Sequence, residues 1–133
     1  MLTASLVGLF GVAGALLRFS LDTWLAGLTA TTSGATTPRR QLLDWPWATL
    51  AVNVVGSLII GLAMGGAAQL QLGHEWSTAL ATGLAGGLTT FSSWTTGTVR
   101  LLSQSRILAA TANLASNLIL GLGAAALGLF ITA

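Results

Sequence analysis

The chain contains no cysteine, and only 6% of its 133 residues are charged. The first absence excludes disulfides, thiolate chemistry and iron–sulfur clusters. The second excludes an ordinary soluble domain, in which about a quarter of the residues carry charge. The high isoelectric point, near 11.4, comes from five arginines set against Asp22, Asp44 and Glu75. So few cations form no basic patch, and nothing in the chain points to a nucleic acid. The single histidine, His74, stands in a short loop with no nucleophile or metal ligand near it, which leaves no constellation for enzyme catalysis.

What remains is apolar. Uncharged runs cover Trp45–Gly73, Trp76–Val99 and Ile107–Ala133, each longer than the roughly 20 residues that cross a bilayer core. A fourth stretch near the N-terminus is interrupted only by Arg18 and Asp22. The fold class read from this pattern is an all-α membrane protein: one domain of four transmembrane helices, with approximate spans 3–28, 45–72, 76–99 and 107–132. No basic residue precedes the first span, so its charge order is that of a mature helix and not of a signal peptide. Arg39, Arg40, Arg100 and Arg106 all fall in loops on one side, whereas the opposite loop carries His74 and Glu75. The positive-inside rule then places both termini outside.

Span 1 carries Gly8, Gly11 and Gly14, a stripe on which another helix can pack closely. Arg18 and Asp22 share a face at i, i+4, either as an interfacial ion pair or as a cation at a vestibule. Residues 29–44 read as an exposed linker, with Asp44 as the N-cap of span 2 and Pro46 in its first turn. Trp45 and Trp47 belong at the headgroup level. Asn53 lies on the order of 10 Å into span 2, with Ser57 on its face. Gly61 and Gly65 form a packing pair. Asn113, Ser116 and Asn117 make a polar stripe in span 4 that must turn inward, as helix glue or as a pore wall.

Span 3 is the most informative. Gly86-Gly87 followed by Thr89-Thr90 weakens the helix and predicts a break near the two glycines, releasing carbonyls. Gly83 and Gly87 also allow a close crossing. Phe91 and Trp94 share a face, with Ser92 and Ser93 between them. Ring edges are positive, so such rings and hydroxyls can hold an anion without a full charge. Neutral donors offset dehydration without trapping the ion, which suits passage of a small, strongly hydrated anion.

Three motifs in order resemble the CrcB/Fluc fluoride channels over the whole chain: Gly11-x-x-Gly14-Ala15-x-x-Arg18, Thr49-Leu50-x-Val52-Asn53-x-x-Gly56-Ser57, and Gly83-x-x-Gly86-Gly87-Leu88-Thr89-Thr90-Phe91-Ser92. The resemblance implies an antiparallel, dual-topology dimer in the plasma membrane (the bacterial inner membrane), with two fluoride pores between subunits. It implies that Phe91 offers its ring edge to fluoride, that Asn53 approaches the same path, that Ser92 and Ser93 join a hydroxyl track, and that Arg18 lines the aqueous mouth. A structural sodium ion (Na+) is implied at the centre, held by backbone carbonyls of Gly86 and Thr89 from both subunits. Fluoride that enters as HF and dissociates inside would leave passively down its gradient.

The chain departs from the family pattern at four places. Trp94 replaces a second phenylalanine and adds an indole N–H. Gly97 stands where glutamate is common, and Asn113 and Asn117 align with the usual tyrosine and serine of the polar track. The one-sided loop charge is also unlike a chain that inserts both ways. It fits one half of a heterodimer of paralogues, conducting or not, as an alternative to a homodimer. Two other readings compete. A small multidrug or cation exporter needs a carboxylate at mid-membrane, and none of the three acids lies there. A tetraspan assembly subunit explains the glycine stripes but not the polar lining.

Overall fold

The computed structural model describes residues 1–30, 45–69, 71 and 73–132. Most of the linker, with Pro38, Arg39, Arg40 and the expected cap Asp44, lies outside these residues. Among the described residues all regular secondary structure is helical, with no strand. Helix α1 spans Leu2–Ala30 and α2 spans Trp47–Gln69. The third span is composite: α3 (His74–Thr78), a π-helical stretch (Ala79–Ala85), α4 (Gly86–Leu88), then α5 (Phe91–Ser103). Helix α6 spans Ile107–Ile131. Three helices are long and apolar enough to cross a membrane, within Leu2–Trp24, Trp47–Ala67 and Ile107–Ile131. The third span has the required length only as a sum of pieces.

Lipid tails are as apolar as leucine, so these helices are held by close backbone approach at small residues. A Cβ on Gly14 would collide with the Leu84 carbonyl, one on Gly87 with the Gly11 carbonyl, and one on Gly83 with Val7 and Phe10. This joins α1 to the first half of the third span. Gly61 and Gly128 do the same for α2 and α6, each against the other's backbone. Gly8 meets nothing within the protomer.

The third span breaks near the glycine pair as expected, just after it. Gly86 is helical (φ −65°, ψ −36°), and the extended residues are Thr89 (φ −73°, ψ 155°) and Thr90 (φ −147°, ψ 115°). Gly87 serves the crossing with α1, whereas the chain unwinds where other groups take its backbone bonds. Helix α2 starts at Trp47, two residues later than the expected Trp45, and the Pro46 carbonyl accepts from Leu50 N at 3.1 Å. Among the described residues no ion pair joins Arg18 to Asp22; Asp22 is exposed and Arg18 half-buried.

Candidate functional site

In an uninterrupted helix the Thr90 N–H would bond the Gly86 carbonyl, and the Ser93 N–H that of Thr89. Both donors are diverted. Thr90 N donates to Asn53 Oδ1 at 2.9 Å, and Ser93 N donates to the Thr90 hydroxyl at 3.1 Å, an N-cap that restarts the helix as α5. The carbonyls of Gly86 and Thr89 thus lose their helical partners. Gly86 is exposed, and open space lies where its Cβ would be.

Asn53 holds both edges of the gap. Its Nδ2 donates to Asn117 Oδ1 at 2.9 Å and to the Thr90 carbonyl at 3.4 Å. Asn117 Nδ2 in turn donates to the Asn113 carbonyl at 3.0 Å and to Asn113 Oδ1 at 3.2 Å. Asn113, fully buried, donates to Thr98 Oγ1 at 2.8 Å. No buried polar side-chain atom among the described residues lacks a partner. A satisfied network of this kind fixes geometry more firmly than its separate bonds.

Two recesses flank the start of α5. One, of about 270 Å³, is lined by Asn53, Ser57, Thr89, Thr90, Phe91, Trp94 and Asn117 among others. The other, of about 350 Å³, is lined by Pro46, Thr49, Ser92, Ser93, Thr96, Gly97 and Arg100. Neither contains a carboxylate. The Phe91 and Trp94 rings meet edge to face, with centroids 5.5 Å apart and planes at 81°. Phe91 is nonetheless 72% exposed on the protomer, with Ser92 and Ser93 exposed beside it. The indole N–H of Trp94 is already committed to the Asn113 carbonyl at 3.2 Å.

A family model described as CrcB-like protein, Camphor Resistance (CrcB), matches residues 5–129. The chain belongs to the CrcB family. It is 48% identical, over 96% of both chains, to a Renibacterium salmoninarum protein named fluoride-specific ion channel FluC. Proteins of the same name from Syntrophotalea carbinolica and Pseudomonas fluorescens are 38% and 39% identical; these matches cover 94% and 92% of this chain and 93% and 90% of theirs. It is a multi-pass membrane protein.

Within this CrcB chain the structure brings Asn53, Phe91, Trp94 and Asn117 to one recess and Ser92 and Ser93 to the neighbouring one. Asn113 lies behind them, bonded into the network but lining neither recess. Arg18, on α1, also lines neither. Thr90 is the residue that sequence reasoning quoted without giving it a role: its amide, hydroxyl and carbonyl all bond across the break. The preference of threonine for N-cap positions was the available signal. Thr49, Thr96 and Arg100 were likewise not assigned to the site; only their place in the fold groups them with Ser92 and Ser93.

Proposed function

We propose that this chain is a subunit of a fluoride-selective channel that lets cytoplasmic fluoride leave passively across the plasma membrane. One observation carries the reading: in a CrcB chain, an uncharged recess joins the exposed Phe91 ring to Asn53, Thr90 and Asn117 at a helix break. Fluoride gives up strong hydration, so its path needs donors. A ring edge, rotatable hydroxyls of Ser92 and Ser93, and carboxamides supply partial positive charge, and the fixed cation Arg100 lines only the recess of the two serines and not that of Phe91 and Asn53. A proton-coupled exporter is disfavoured because neither recess holds a carboxylate.

Exposed hydroxyls and freed carbonyls at membrane depth are costly against lipid. A second subunit, antiparallel in a dual-topology dimer, would cover this face and turn each recess into an enclosed path. The Gly86 and Thr89 carbonyls, released by the break and reachable because Gly86 has no side chain, suit a hard cation that prefers oxygen ligands. Sodium held there by both subunits would fasten the two breaks together. Arg18 would draw anions toward the mouth. The partner is a second copy or, as the one-sided loop arginines favour, a paralogue of opposite orientation.

Fluoride efflux from liposomes tests the assignment with the native chain, Phe91→Ile and Asn53→Asp. Flux from the native chain, lost in both variants with the dimer intact, supports it. Equal flux in all three removes these residues from the path. Flux that appears only when a paralogue is added assigns the chain to a heterodimer.

A further inference from the structure

Beyond the extended residues Thr89 and Thr90 the helix starts afresh, so α5 does not inherit its rotation from α4 and takes it from bonds to its neighbours. Phe91 stands in the first turn of α5, and that rotation decides where its exposed ring edge points. Trp94 and Thr98, one turn apart on α5, both meet Asn113 of α6. Asn113 Nδ2 donates to Thr98 Oγ1 at 2.8 Å and, at a longer 3.4 Å, to the Trp94 carbonyl. The Thr98 hydroxyl donates to that same carbonyl at 2.9 Å, and the Trp94 indole N–H donates back to the Asn113 carbonyl at 3.2 Å. Thr98 and Asn113 are buried, and neither lines a recess.

These bonds have a sense. A backbone carbonyl only accepts, so the Thr98 hydroxyl gives its one hydrogen to Trp94 and accepts from Asn113. Asn113 then turns Oδ1 toward Asn117, which turns its own Oδ1 toward Asn53, whose Oδ1 takes the Thr90 N–H. At that end a backbone N–H only donates, and it demands the same order. The circuit leaves the third span at Thr90, passes through α2 and α6, and returns at Trp94, with Phe91 between its two ends. Bonds aligned head to tail in this way strengthen one another.

We propose that Thr98 and Asn113 are positioning residues for fluoride passage. Neither meets the ion; they fix the rotation of α5 that holds the Phe91 edge and the Trp94 ring at the recess. The proposal rests on the fluoride reading of that recess, and it moves Asn113 from the path to a place behind it. Thr98→Val keeps the side-chain shape and removes the hydroxyl. Asn113 Nδ2 then loses its short bond and can replace it only by closing on the Trp94 carbonyl, which turns α5 against α6.

The test pairs two readouts on the full-length protein as native chain, Thr98→Val and Thr98→Ser. One is the Trp94 indole N–H resonance in detergent micelles, identified by its absence in Trp94→Phe. The other is fluoride and chloride efflux from liposomes, with the paralogue supplied where one is required. Thr98→Val should shift the resonance and lower the discrimination between fluoride and chloride about five-fold, the effect of losing one neutral hydrogen bond. Thr98→Ser keeps the hydroxyl and should leave both readouts native. A smaller yield of folded protein lowers both fluxes alike, so reduced flux at the native ratio overturns the proposal. A resonance unmoved by Thr98→Val, or equal effects of valine and serine, also overturns it. Absence of fluoride efflux from the native chain, with the resonance moving as stated, counts against the fluoride reading and not against the hold of Thr98 on α5.

Discussion

Replacing Asn53 with leucine, close to it in volume, removes three hydrogen bonds: one from Thr90 N and two donated by Nδ2. At about 1 kcal/mol each within a membrane bundle, that loss is on the order of 3 kcal/mol. The Thr90 N–H then has two choices. If the break persists, a buried N–H stays unpaired at a further cost of about 1–3 kcal/mol. If the third span rewinds, Thr90 N returns to the Gly86 carbonyl and recovers one bond. The second outcome is lower in free energy, so Asn53→Leu should heal the break and withdraw the Gly86 carbonyl. Amide hydrogen exchange resolved at Thr90 and Ser93 reads this directly: protection at Thr90 should be retained through its new helical bond, with loss of fluoride flux. Asn53→Asp is the control, because its carboxylate still accepts from Thr90 N and keeps the break while opposing an anion. Unchanged melting temperature and flux in Asn53→Leu would refute the reasoning.

The two adjacent glycines should separate packing from assembly. Gly87→Ala drives a Cβ into the Gly11 carbonyl and should destabilise the protomer by about 1–3 kcal/mol, seen as a lower melting temperature in detergent. Gly86→Ala meets open space and should leave the protomer intact while weakening dimerisation, measured by cross-linking in membranes. Thr90→Val removes the cap on Ser93 N and should cost about 1 kcal/mol in thermal stability while slowing fluoride efflux. Gly97→Ala makes only ordinary contact with Pro46 and stands inside a helix, so it should stabilise the chain by about 0.5–1 kcal/mol.

The four spans were legible because lipid imposes length and apolarity on every crossing helix, and the glycine pairs Gly61/Gly65 and Gly83/Gly87 announced close packing. The convergence of Asn53 with the span 4 asparagines followed from the cost of burying carboxamides. A break near Gly86-Gly87 was legible too, but its cause was not. Both glycines stay helical, Gly87 packed against α1 and Gly86 in open space, and the unwinding just beyond them is held by Asn53, 37 residues away in sequence. Trp94 offered a similar trap: its N–H appeared to be an extra donor for an ion, but Asn113 uses it. The π-helical stretch Ala79–Ala85, in which Gly83 lies close against Val7 and Phe10 of α1, had no legible sequence signal.

The most direct test of the central claim is simultaneous electrode measurement of fluoride and chloride efflux from liposomes carrying the native chain or Phe91→Ile, with the paralogue supplied where one is required. Rapid, voltage-driven loss of fluoride with chloride retained, abolished by Phe91→Ile, is the predicted result. Loss of both halides together, or fluoride flux indifferent to Phe91, would contradict it.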